Sequence, residues 1–209
     1  MATRIWGKKI GMTQVFSENK VIPATAIDLA HWVVTRIKTQ ERDGYSAVQV
    51  GLIRDRYVDT AFAQDWLKTP KKYFYHIREI AFDGDSASLT IGQPMDFNAM
   101  INQGEFLDVA GITIGRGFAG VIKRHNFNGP PGSHGSTMGR RPGSSSSYRS
   151  QGRVIKGKKF PGHMGVDLQV MRNLEVVSVD KNANVLLIKG SVPGKAGSLM
   201  CIRKSLGNV

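Results

Sequence analysis

Three imidazoles, His125, His134 and His163, fall in one stretch of a 209-residue chain. Three such side chains can hold zinc, and two can share the acid and base roles of RNA cleavage. Their spacing disfavours both chemistries. They lie 9 and 29 residues apart, with no Cys or carboxylate among them and no helical period to set them on one face. A metal site with no anionic ligand in so cationic a region would be electrostatically poor. Stacking on bases or hydrogen bonding to phosphate suits these three histidines better. His31 and His76 lie in strand-like contexts and read as structural.

Two glycine-rich motifs sit beside them. Gly115-Arg116-Gly117-Phe118-Ala119-Gly120 has the form G-x-G-x-x-G, and Ala110 to Ile114 before it could be a strand. A dinucleotide site also needs an acid about 20 residues on to hold the ribose. The next acid here is Asp167, and the expected helix, Phe118 to Arg124, runs into Asn126-Phe127-Asn128-Gly129-Pro130-Pro131. Gly152-Arg153-Val154-Ile155-Lys156-Gly157-Lys158-Lys159 matches a phosphate loop until its last position. An ammonium stands there where a hydroxyl must ligate magnesium. Ser144 to Ser147 beside Gly143 reads as loop; no base or orienting acid near it suggests a nucleophile. What survives is glycine freedom beside positive charge, which suits phosphate contacts.

The charge is concentrated. All 16 acids lie at or before Asp108 or at or after Asp167, so residues 109–166 contain ten Lys and Arg, no acid, and 13 of the 24 glycines. The rest of the chain carries 19 basic against 16 acidic residues, so +10 of the formal +13 belongs to this one stretch. From Lys123 through Arg153 there is no Ile, Leu or Val. Such a segment cannot bury enough apolar surface to offset its ordering entropy, and is expected to be an irregular arm that orders on a partner. Arg116, Lys123, Arg124, Arg140, Arg141, Arg149, Arg153, Lys156, Lys158 and Lys159 are its candidate phosphate or base-edge ligands. His125, His134, Tyr148 and His163 can add stacking or hydrogen bonds, and Lys8 and Lys9 can add charge from the body. With few aromatics in the arm, backbone and shape recognition should dominate, and a thin glycine-rich arm suits the crevices of a folded RNA.

The elements that must carry this arm are strands. Val21 to Leu29 and Trp32 to Lys38 are β-branched and partly alternating; Asp43-Gly44 marks a turn before Tyr45 to Val50. Thr60 to Lys72 could hold a short helix. Leu168 to Asp180 and Asn184 to Lys189 read as strands joined by a tight turn. The expected fold is mostly β: a β-barrel body from residues 1–108 and 167–209, with the basic glycine-rich extension 109–166 inserted. A 41% apolar content excludes wholesale disorder. The single cysteine, Cys201, forms no disulfide within the chain and fits a reducing compartment. No apolar run reaches membrane-spanning length, and the first residues show no secretory signal.

Taken in order, Gly7 to Phe16, Asp43 to Gln49, Gly115 to Phe127, His134-Gly135, Arg141 to Ser144, Gly152 to Lys159, Gly162-His163-Met164-Gly165 and Val192-Pro193-Gly194 resemble the L-three (uL-three) family of large ribosomal subunit proteins, bacterial type. The resemblance spans nearly the whole chain. It implies a surface β-barrel and an extension, roughly Gly115 to Gly165, that enters rRNA toward the peptidyl transferase centre. It also implies a role early in subunit assembly, neighbours of the L-fourteen and L-nineteen types, a cytoplasmic ribosomal location, no membrane partner, no cofactor and no catalysis by the protein. The tip would lie between Phe127 and Gly152. His125 stands where many bacterial members carry Trp, and Arg149 where some carry a methylated glutamine, so that modification is not expected. Two other classes make different predictions. A nuclease using His134 and His163 would turn over RNA and lose this with His134→Ala; a membrane-docking protein would bind liposomes without preferring folded RNA.

Overall fold

The computed structural model describes residues 4–17, 20–81, 89–145, 152–205 and 207. Its strands are β1 (Ile5–Ser17), β2 (Lys20–Asp28), β3 (Trp32–Lys38), β4 (Ala47–Ile53), β5 (Phe74–Ala81), β6 (Phe106–Ile112), β7 (Phe118–Ala119), β8 (Gly162–His163), β9 (Leu168–Asp180), β10 (Val185–Lys189) and β11 (Leu199–Lys204). Helices are short: α1 (Gln40–Asp43), α2 (Pro70–Tyr73) and α3 (Val121–His125). None among the described residues is long and apolar enough to cross a membrane. The chain forms two compact units, one built from residues up to Ile112 and from Leu168 on, the other from Thr113–Asp167.

In the first unit, six strands pair in the order β1-β11-β6-β9-β10-β2, and β2 returns to β1, closing the sheet into a barrel. Closure gives each strand a neighbour on both sides along part of its length, while β1 beyond Lys9 pairs with β2 alone. Side chains alternate between the two faces of a strand. The inward set holds Ile5, Ile27, Leu107, Val109, Leu186, Ile188, Met200 and Ile202, all buried. Each such side chain contributes about 1.5–3 kcal/mol when fully buried. Gly7 shares the inward face of β1 because a Cβ there would lie 2.5 Å from the Ile27 side chain.

The unit also contains a separate three-stranded sheet, β3-β4-β5, which the sequence reading did not distinguish from the barrel. Both its faces are covered. Val34, Val48, Val50 and Ile80 join the barrel interior in one apolar cluster with Trp32 and Phe97. Val33, Ile53 and Phe74 pack on the other side around Trp66, whose ring stacks on Tyr73 at 4.8 Å. The helix expected within Thr60 to Lys72 is two pieces: a 3-10 turn, Gln64–Leu67, and α2, which opens on Pro70 where no backbone donor is needed.

One ion pair, between a buried carboxylate and an exposed guanidinium, joins β6 to β11. Asp108 on β6 accepts from Arg203 Nη2 at 2.9 Å and from the Asn173 amide at 3.1 Å. Burial alone would raise its pKa, but the Asn173 amide, Arg203 and Arg172 outweigh it and hold the carboxyl below its usual value.

Candidate nucleic-acid interface

The second unit begins and ends on its own hydrogen bonds. The Thr113 amide donates to the Asp167 carbonyl at 2.9 Å, and the Asp167 amide donates to Thr113 Oγ1 at 3.1 Å. The Arg116 amide then reaches the Met164 carbonyl, and the Met164 amide the Gly117 carbonyl. β7 and β8 continue this ladder through Phe118↔His163 and Ala119↔Gly162. Gly165 is required at this root: its φ is +82°, and a Cβ would lie 2.3 Å from the Ile114 carbonyl oxygen.

Beyond the ladder, α3 supplies the unit's small apolar anchor. Val121 and Ala119 are the buried apolar side chains of the unit among the described residues. Arg124 and His125, at the end of α3, both turn to the Phe160 carbonyl, at 2.8 Å from Arg124 Nη1 and 3.1 Å from His125 Nε2. A carbonyl only accepts, so both nitrogens donate. The two residues therefore staple α3 to the segment that leads into β8, and a Cβ on Gly162 would meet the Arg124 guanidinium at 2.7 Å.

Residues 131–144 and 152–159 are exposed throughout. Arg116, Lys123, Arg140, Arg141, Arg153, Lys156, Lys158 and Lys159 are all exposed, and none forms an ion pair among the described residues. Lys158 donates to the Ser145 carbonyl, bringing the two exposed runs together. His134 is exposed with φ +58°, and His163 is exposed on β8. Tyr148 and Arg149 lie outside the described residues, as do Ser146, Ser147, Ser150 and Gln151. The three histidines have separate surroundings: His125 faces Phe160, His134 lies in the exposed loop, and His163 is on β8. The two glycine motifs also lack nucleotide-site surroundings. α3 is a five-residue helix behind a two-residue strand, and Gly152 and Gly157 are loop residues with positive φ.

The two body lysines differ. Lys9 points into the first unit and is 9% exposed, with Nζ donating to the Val192 and Gly194 carbonyls at 2.9 Å each. Burial lowers its pKa. Its charge is therefore engaged inside the fold instead of standing with Lys8 on a surface. Lys8, one residue earlier, takes the opposite face, where its ammonium lies 5.8 Å from the Tyr75 ring centroid. That face also carries Arg54, 5.0 Å from the same ring, and Arg78, 5.4 Å from the Trp6 ring. Sequence reasoning passed over this cluster. The run Tyr73-Phe74-Tyr75-His76 followed by Arg78 was its available signal.

A model of the family "Ribosomal protein L3" matches residues 76–185. Full-length relatives agree. The "Large ribosomal subunit protein uL3" of Trichlorobacter lovleyi is 41% identical over 205 residues, covering 97% of this chain and 96% of its own. Those of Crocosphaera subtropica and Dehalococcoides mccartyi are 41% and 40% identical, covering 97% and 98% of this chain and 96% and 99% of their own. The chain belongs to the ribosomal protein L3 family. Ribosomal protein L3 is a structural, non-enzymatic protein.

Proposed function

We propose that the chain binds and organises large-subunit rRNA, with Thr113–Asp167 acting as an extension that enters the folded RNA. The observation that carries this reading is the set of eight exposed cations that form no ion pair among the described residues, in a stretch with no carboxylate. Coulomb attraction to phosphate is then uncompensated by any local acid, and glycine lets the main chain pass close to the RNA backbone. Arg116, Lys123, Arg140, Arg141, Arg153, Lys156, Lys158 and Lys159 are the phosphate and base-edge ligands, with Tyr148 and Arg149 assigned to the same surface. His134 and His163 offer exposed imidazoles for stacking or phosphate bonding. Arg124 and His125 act first as the staple and can present only their remaining donors. Lys8 contributes from the body; Lys9 does not.

In this reading, and as the family resemblance implies, the extension reaches toward the peptidyl transferase centre and acts early in subunit assembly, in the cytoplasm, beside proteins of the L-fourteen and L-nineteen types. Co-sedimentation with large subunits through a high-salt wash tests the reading; complete loss of the protein in the wash would refute it. Deleting residues 128–151 should leave the body folded, because that segment has no aliphatic core residues, while subunit assembly is impaired. Unfolding of the shortened protein would contradict the division into body and extension.

A further inference from the structure

The cluster on the body around Tyr75 encloses a cavity of about 190 Å³ lined by Lys8, Leu52, Tyr75, His76, Gly197 and Leu199. A single planar base fits that space; most drug-sized ligands need more. Two larger grooves, beside Phe62 and beside Gly104, have no comparable convergence of cations: the first contains none, and in the second Lys189 is paired with Glu175.

The lining has a distinct chemistry. Leu52 is buried and supplies an apolar wall. The Tyr75 ring is 45% exposed and oriented by its hydroxyl, which donates to Asp55 Oδ2 at 3.2 Å. Arg54 is held beside that ring by its bonds to the Lys71 and Phe74 carbonyls, at 2.9 and 3.3 Å. His76 has its pKa lowered by burial and by the Arg78 and Lys8 charges. A neutral imidazole carries one donor and one acceptor nitrogen, the pairing that a base edge offers. An aromatic face, an apolar wall and flanking cations are the elements that bind single-stranded nucleic acid. Asp55 is the acid in this group, and Lys8, Arg54 and Arg78 outnumber it.

We propose that this cavity binds one unstacked nucleotide of an RNA, its base lying against Tyr75 and Leu52 and its phosphate meeting Lys8 and Arg54. The inference rests on the RNA-binding reading above and deepens it: the extension would follow the backbone, whereas this pocket on the body would hold a base.

The test uses the full chain with a single-stranded RNA hexanucleotide and an abasic hexanucleotide of equal charge, read by NMR at the Leu52 and Leu199 methyls and the His76 ring. The hexanucleotide should shift all three saturably, and the abasic strand should shift them little. Adenosine monophosphate should move the same signals more weakly, since it brings the base without the rest of the strand. Tyr75→Ala should weaken hexanucleotide binding at these signals about tenfold, while Tyr75→Phe, which keeps the ring, should not. Equal shifts from both strands, or from poly-glutamate at the same charge, would overturn the base pocket in favour of a simple anion patch. Absence of shifts at all three signals while folded rRNA still binds would overturn the pocket alone. Loss of folded-rRNA binding with the pocket shifts intact would instead refute the wider reading and leave the pocket standing.

Discussion

Replacing Lys156, Lys158 and Lys159 together by glutamine removes three of the eight exposed cations of residues 113–167 that form no ion pair among the described residues. No carboxylate lies within residues 109–166, so the substitution breaks no local ion pair, and these exposed side chains add nothing to a core. Binding to polyanions releases about 0.7–0.9 counterions per phosphate contact, depending on strandedness. If all eight cations make contacts, the log–log slope of affinity against salt is about −6 to −7, and the triple variant brings it to about −3.5 to −4.5. Between 50 and 200 mM salt the loss of affinity then falls from about four decades to between two and three. The assay is equilibrium binding of the intact protein to a folded large-subunit rRNA fragment across that salt range. A circular dichroism spectrum of the variant should match that of the parent. An unchanged slope would show that these ammonium groups do not meet phosphates, and would refute the assignment of the extension as the main electrostatic contact.

Three further outcomes follow from particular contacts. Lys9→Met keeps the stem but leaves the Val192 and Gly194 carbonyls unpaired, and should lower stability in urea unfolding by about 2–4 kcal/mol while leaving the salt slope of RNA binding unchanged; an unchanged urea midpoint would refute the internal role. Asp108 has a depressed folded pKa, so the stability it contributes is present above the unfolded carboxylate value and lost as pH falls through the folded one; Asp108→Asn should cost about 1–3 kcal/mol at neutral pH and flatten the acid side of the stability curve. His76 is also depressed, so its contribution is complete above the unfolded value of 6.5 and lost as pH falls through the lower folded value. An NMR titration should place the His76 midpoint below 6.5, and a midpoint above it would contradict the burial and the neighbouring Arg78 and Lys8 charges.

The strands easiest to read in the sequence were the aliphatic, β-branched runs on either side of a tight turn. β9 and β10 match Leu168 to Asp180 and Asn184 to Lys189 closely, and the turn between them is closed by Asp180, which accepts from the Asn182 and Ala183 amides. β1 was harder because its inward face is Ile5, Gly7 and Lys9. One of these is a glycine imposed by a neighbour's bulk and one is a cation satisfied by two carbonyls more than 180 residues away. Neither looks apolar in a sequence. Once the strand is known, alternation separates Lys8 from Lys9, which composition alone had grouped. The same limit applies to Arg124 and His125. Their positions mark them as ligands, but the Phe160 carbonyl that engages them lies 36 and 35 residues further on. The acid-free stretch was legible because charge needs no partner to be counted. The Tyr75 pocket was not, because it joins residues from β1, β4 and β5 with Gly197 and Leu199.

The order of pairing in the barrel has a consequence for synthesis. β11 lies between β1 and β6, so the ring cannot close until residues 199–204 have left the exit tunnel of the ribosome that makes them. Residue 204 follows Ile112 by 92 positions, all of residues 113–167 among them. At 5–20 residues per second, about 5–20 s separate the completion of β6 from that of β11. By the end of this interval the nascent chain displays its whole cationic segment while the barrel is still open. The cationic segment thus emerges before the last three strands of the barrel, and early capture by a polyanion or a chaperone would act on an unfinished body.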